Sequence, residues 1–239
     1  MSRNFELLNQ LDAEFKLGVA TPKTIPAAER AVERRRSDSV NREMLNLVQR
    51  VFLPENPNSP HVVALCSVDR NARASSICFE LGKALTAHTT RSVCLIDANP
   101  HTPLPSAPLK ENRPASFLES DHDYCQEISP NLWYTTTKDP SSPTENGSVP
   151  THLLKQRLEY LRTRFHFIVI DLPQAGSQGD AAVLSQLADG SILVIEANTT
   201  RKAAALQAKK TMEAMNIRIL GSVLNSRTFP IPERLYRKL

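Results

Sequence analysis

The 239-residue chain is 41% hydrophobic and 23% charged, a composition that excludes wholesale disorder and accommodates one α/β core with an N-terminal extension. Its formal charge of +4 is modest and partly concentrated in Arg30, Arg34, Arg35 and Arg36, so nothing in it demands a nucleic-acid partner. No stretch approaches the roughly eighteen apolar residues of a membrane span, and the start MSRNFELLNQLDAEF carries acids where a secretion signal is apolar, which predicts a cytoplasmic chain with no direct membrane insertion.

In chain order, Phe5, Leu8, Leu11 and Phe15 fall at helical spacing and predict a short amphipathic helix that Gly18 ends. The following stretch to Ser39 combines prolines with a charge run and reads as an exposed linker. Residues 1–38 are therefore expected to form a helix and linker, and 39–239 the main domain. The segment REMLNLVQRVFL places Met44, Leu45, Leu47, Val48, Val51 and Phe52 on one helical face, and PENPNSP stops it.

From there the sequence alternates short β-branched runs with helical patterns. The runs HVVALCSV, SVCLIDAN, FIVIDLP, GSILVIEAN and RILGSVLN lack polar alternation, as strands buried on both faces do. Helical patterns at Ser75 to Ala87, Thr151 to Phe165, Asp180 to Ala188 and Arg201 to Met215 are long enough for crossovers. The fold class is α/β, a doubly wound, mostly parallel sheet flanked by helices. Residues 100–150 break this rhythm with proline-rich loops around a strand at Leu132 to Thr137. The four cysteines form no CxxC pair; Cys66, Cys78 and Cys94 lie in apolar stretches, and all four, Cys125 included, read as reduced core residues. The histidines, His101 among them, show no metal-ligand spacing.

In such a sheet, ligands bind beyond the carboxyl tips of the strands, where helix N-termini present amides to anions. Three tips stand out. After VVALCSV comes Asp69, Arg70, Asn71, Ala72, Arg73, Ala74, Ser75, Ser76, the position of a phosphate-binding loop. LIDANPHTP carries Asp97 and Asn99, spaced by two and expected on one side of an extended segment. FIVIDLPQ ends in Asp171 and Pro173, an acid placed as a magnesium ligand beside a phosphate loop is placed. The bland alternative makes Asp97 and Asp171 strand-end acids that cap loops, and gives Ser75 and Ser76 an N-cap role on the helix that starts there, which is the favoured reading for the two serines.

The order of these segments resembles the cytoplasmic bacterial tyrosine kinases of polysaccharide export, which belong with the septum-site and plasmid-partition ATPases in the deviant P-loop group. The resemblance covers roughly Ser39 to the C-terminus. It implies that Ser67 opens the loop, that Ser75 and Ser76 are its Ser/Thr pair, that Asp97 and Asp171 are the catalytic and magnesium-binding acids together with Ser75, that Pro103 closes the second motif, and that Asp180 is a further acid. The chain departs where the family has Gly, acid, Gly, Lys and this sequence has Asn71, Ala72, Arg73 and Ala74. Glycine there provides positive φ and room for phosphate, and lysine supplies charge for the transition state. An arginine at the glycine position is expected to plug the site. Asn99 replaces a carboxylate with a weaker magnesium ligand.

The resemblance therefore implies a degenerate phosphate loop and a non-catalytic, pseudokinase-like binding partner in exopolysaccharide or capsule assembly. ATP or ADP with magnesium enters only if Asn71, Arg73, Ala74, Ser75 and Ser76 still hold it. The partner implied is a membrane-embedded polysaccharide chain-length regulator, which would recruit the chain to the inner face of the membrane. Two alternatives stay open: an active tyrosine autokinase in which Arg73 replaces the lysine, and a partition-type ATPase. Tyr236 is the C-terminal candidate phosphoacceptor, against its ordinary use as a terminal anchor. Homo-oligomerisation also stays open, since NREMLNLVQR keeps Arg42, Glu43 and Arg50 without matching the family's ring-forming helix.

Overall fold

The structure is a computed structural model that describes residues 41–53, 59–69, 73–99, 102, 104–105, 125–137, 151–175 and 180–226. The expected helix and linker at 1–38, Asn71, Ala72, His101, Pro103 and Tyr236 lie outside the described residues.

Seven strands form one sheet: β1 (Val62–Ser67), β2 (Val93–Asp97), β3 (Gln126–Ser129), β4 (Leu132–Thr136), β5 (Phe167–Leu172), β6 (Gly190–Glu196) and β7 (Ile219–Asn225). Their order across the sheet is β3-β4-β2-β5-β1-β6-β7. Every neighbouring pair is parallel except β3 with β4, which is antiparallel and carries a register shift between Glu127 and Ser129. The helices are α1 (41–51), α2 (Ala74–Thr89), α3 (Thr151–Arg164), α4 (Asp180–Leu187) and α5 (Lys202–Ala214). The doubly wound architecture read from the buried β-branched runs is the one observed. The short polar edge strand QEIS was absent from that reading.

Strand parity divides the core into two layers. Val62, Ala64 and Cys66 of β1 join Leu154, Leu158 and Leu161 of α3, Ala181 and Leu184 of α4, and Ala208 and Met212 of α5 on one face. Val63 and Leu65 join Met44 and Val48 of α1, Phe52 just beyond it, and Ile77, Cys78, Leu81 and Leu85 of α2 on the other. The spacing 77, 78, 81, 85 is a helical stripe, so α2 forms because only a helix turns those four side chains toward the sheet together. All four cysteines are buried free thiols, as the apolar runs around the first three imply.

The amino end of the central strands is clamped by one carboxylate. Asp189 accepts from the amides of His61 at 2.8 Å and Val62 at 2.7 Å, and from Arg162 Nη2 at 2.7 Å and Nη1 at 3.2 Å. Burial alone raises its pKa, but Arg162 and the two amides outweigh burial and hold it below the ordinary 3.8. A depressed folded-state pKa stabilises the fold above the unfolded value, and that contribution is lost as pH falls through the folded one. Asp189→Asn is expected to cost about 1–3 kcal/mol at pH 7. In urea melts, its deficit relative to wild type should shrink below about pH 3.8; a deficit independent of pH would refute the clamp.

Candidate functional site

The carboxyl tips of β1, β2 and β5 converge on the face covered by α2. Parity places Ser67 with Val63 and Leu65, Asp97 with Val93 and Leu95, and Asp171 with Phe167 and Val169, all on that face. Asp97 and Asp171 are direct partners in the parallel register of β2 and β5, and the amide of Ala98 donates to the Asp171 carbonyl at 3.0 Å. Both side chains are buried. Cys78 of α2 senses them: burial first, then the charges of Asp171 and Asp97, push its thiol well above 9.0. The structure therefore brings together three residues that the sequence singled out from separate strands.

β2 ends at Asp97, so Asn99 lies beyond the strand. The Asp97 carboxylate ties this segment together: Oδ1 accepts from the Asn99 amide at 3.2 Å, and Oδ2 accepts from Tyr134 Oη at 3.2 Å and the Leu104 amide at 3.5 Å. An aspartate that bonds the amide two residues on competes with strand continuation and turns the chain. Asn99 continues the series, its Oδ1 accepting from the Thr102 amide at 3.3 Å.

The Ser75 hydroxyl closes the series by donating to the Thr102 carbonyl at 3.3 Å. This corrects the N-cap role favoured for Ser75 and Ser76. The N-cap of α2 is Arg73, which makes no side-chain cap bond. Ser75 instead ties the helix to the loop after β2, and the exposed Ser76 contributes its amide to the Arg73 carbonyl at 3.1 Å.

Arg73 adopts φ 46° and ψ 39°, the left-handed region. This is the backbone that a glycine accepts without cost and a side chain does not. Its side chain is exposed. Ala74, the next residue and the first of α2, is buried in the core layer beneath the helix. Arg73→Gly is expected to raise stability by about 0.5–1 kcal/mol, the left-handed penalty less the extra freedom of glycine in the unfolded chain. Arg73→Ala should give no such gain; equal gains from both in urea melts would show that the backbone is not the cause.

Contacts around the first tip went unread in the sequence. Gln174 Nε2 donates to the Val68 carbonyl at 3.0 Å, and the Ala175 amide to the Ser67 carbonyl at 2.7 Å. Thr200 Oγ1 donates to Asp69 Oδ2. These tie the end of β1 to the segments after β5 and β6. Tyr134 had a signal: it lies two residues from Leu132 in the anticipated strand and so shares the face of that core residue. Thr102 had none, because its part is played by the backbone.

Magnesium would draw on Ser75, Asp97 and Asp171. Ser75 Oγ keeps acceptor capacity while its proton is given to Thr102, and both oxygens of Asp97 already accept protein donors. Among the described residues, no cluster of three or more His, Cys, Asp or Glu side chains has metal-binding geometry. Between Val68 and Ser76 the sequence contains neither glycine nor lysine. No helix among the described residues is long and apolar enough to cross a membrane.

No family model matches the chain. It is similar to the tyrosine-protein kinase CpsD of Streptococcus agalactiae, with 27% identity over 173 residues that cover 69% of this chain and 73% of the relative. Tyrosine-protein kinase YwqD of Bacillus subtilis is 23% identical over 189 residues, covering 69% of this chain and 77% of its own. Among solved structures, the VpsO kinase domain superposes with a TM-score of 0.64 at 22% identity, covering 82% of this chain and 98% of that domain. By these comparisons the chain is a homologue of proteins named as bacterial tyrosine-protein kinases, and its fold is the P-loop ATPase type of such kinase domains.

Proposed function

We propose that the chain is a non-catalytic relative of those kinases, a pseudokinase whose sheet edge serves binding and regulation in exopolysaccharide or capsule assembly. The observation that carries this reading is the start of α2. There Ala74 presents a methyl to the core in the position where the resemblance requires a lysine ammonium, and Arg73 holds a left-handed backbone without the bare approach of a glycine. Polyphosphate recognition needs converging amides and a cation to offset charge in the transition state. The residues present do not fit a nucleoside triphosphate, so no phosphoryl-transfer step is assigned to them.

The internally bonded loop from Asp97 to Leu104 supports the same reading. It gives the retained acid work that is independent of nucleotide. The chain-length regulator of the export machinery, a membrane protein, is the partner that the relationship nominates, and it would bring this chain to the inner membrane face. Calorimetric titration of the purified chain with ATP and magnesium is expected to give no micromolar binding. Micromolar binding accompanied by tyrosine phosphorylation, with activity abolished in Asp171→Ala, would end the proposal.

The exposure of Arg73 at the loop exit favours a second reading, an active autokinase whose guanidinium replaces the lysine ammonium. That reading requires nucleotide binding that Arg73→Ala weakens. The same titration therefore decides between the two, and it also tests a partition-type ATPase, which needs nucleotide to act.

A further inference from the structure

We propose that Cys66, Met212 and Met215 form a metal site, a three-sulfur cradle for one copper(I) ion behind the first strand tip. Cys66 is the next-to-last residue of β1 and Met212 belongs to α5; they are 2% and 1% exposed. The Cys66 thiol donates to Met212 Sδ across 3.9 Å. Met215 caps the carboxyl end of α5, packs against the same core layer and, with the other two, lines a cavity of about 10 Å³ among β1, β5, α4 and α5. That is room for about one water-sized sphere, enough for a bare ion and too little for a hydrated one. Close-packed interiors leave few voids of this size, and this one is bordered by all three sulfur-bearing side chains.

The lining selects the ion. Among the described residues it contains no carboxylate, imidazole or ammonium. Its polar side chains are engaged elsewhere: the Gln174 amide donates to the Val68 carbonyl at 3.0 Å, and the Ser185 hydroxyl to the Ala181 carbonyl at 2.8 Å. A hard, oxygen-seeking cation therefore finds no ligand set, whereas thiolate and thioether sulfur are what copper(I) prefers. Charge acts in the same direction. The two thioethers are neutral and the thiolate carries a single negative charge, so a monovalent ion closes the site with no net charge. Zinc or another dication would leave a buried positive charge uncompensated.

The spacing fits as well. Two sulfurs that share an ion in a trigonal plane, each at about 2.3 Å from it, stand about 4 Å apart. The Cys66–Met212 separation of 3.9 Å meets this without moving β1 against α5. Burial pushes the Cys66 thiol up to about 12, so the empty cradle keeps its proton. On loading, the S–H bond breaks, the Cu–S bond forms and the proton leaves to water, with the oxidation state of copper unchanged. Ser67 follows Cys66 directly, and Ala175, whose amide holds the Ser67 carbonyl at 2.7 Å, lines the same cavity. A bound ion thus fixes α5 to the base of the first strand tip.

The full reduced chain, titrated without oxygen against copper(I) held by the chelator ferrozine, is expected to take up one copper per molecule, and X-ray absorption should show a shell of sulfur alone at about 2.3 Å. No copper drawn from the chelator, or a nitrogen or oxygen shell, would overturn the proposal. Met212→Leu and Met215→Leu conserve core volume. Each should weaken binding by about 10–100-fold, no less than the loss of an outer-sphere partner does at other metal sites. Unchanged affinity in either removes that sulfur and overturns the three-sulfur site, and unchanged affinity in the double variant places the ion at another thiol. Cys66→Ser should abolish binding; should it fail to fold, the methionine variants decide. Copper(I) should also raise the urea midpoint of the wild-type chain more than that of Met212→Leu at the same concentration, and an equal rise in both would be contrary.

Discussion

Asp97→Ala is expected to destabilise the protein by about 3 kcal/mol, because it orphans donors that folding has already taken from water. The Asn99 amide, the Leu104 amide and the Tyr134 hydroxyl all end on this one carboxylate, which is 1% exposed. Each buried donor left without an acceptor costs about 1–3 kcal/mol, and the longer bond to Leu104 belongs at the low end. Asp97→Asn should recover little of the loss. One amide oxygen can still serve Asn99, but the NH₂ group presents donors where Leu104 and Tyr134 already donate. Urea unfolding of both variants measures the effect, and an Asp97→Ala loss below about 1 kcal/mol would show that the loop does not depend on its acid.

The second large effect is expected at Phe52. This side chain, 1% exposed, packs edge-on against Phe167 of β5 with ring centroids 5.4 Å apart and an interplanar angle of 82°. Met44 and Val48 from α1 fill the same layer, so Phe52 is the point at which α1 is fixed to the sheet. Phe52→Ala should cost about 3–5 kcal/mol, combining lost transfer energy, a cavity and the lost edge-to-face contact. Phe52→Leu should retain more than half of that. If the alanine variant unfolded at an unchanged urea midpoint, α1 would be an attachment and not part of the cooperative domain.

Much of this architecture was legible because central parallel strands are buried on both faces. VVALCS, VCLID, FIVIDL and GSILVIE have no polar phase to confuse with a half-exposed strand. β3 was illegible for the converse reason: QEIS is short, lies at the sheet edge and has only Ile128 partly buried, so neither periodicity nor composition marks it. Asp97 and Asp171 were singled out because acids ending apolar runs are conspicuous, and the register makes them neighbours. The part of Ser75 was misread because its target, the Thr102 carbonyl, is a backbone atom of the loop after β2, where Asn99 also bonds the Thr102 amide. Side-chain identity cannot announce a partner of that kind. At Arg73 the sequence correctly marked a position suited to glycine, while the exposure of the arginine depends on a backbone direction that only coordinates supply.

The placement of β1 between β5 and β6 also shapes how the chain is made. The residues that flank this strand in the sheet, Ile168 to Leu172 and Gly190 to Val194, follow it in the chain by 106 and 127 residues, so the first neighbour arrives about 100 residues later. At about 5–20 residues per second, that is a wait of roughly 5–20 s during which VVALCS has no neighbour to satisfy its amides. Synthesis is therefore the interval when this protein is most exposed to aggregation, and a holdase that recognises short β-branched segments would protect it most between the appearance of β1 and that of β5.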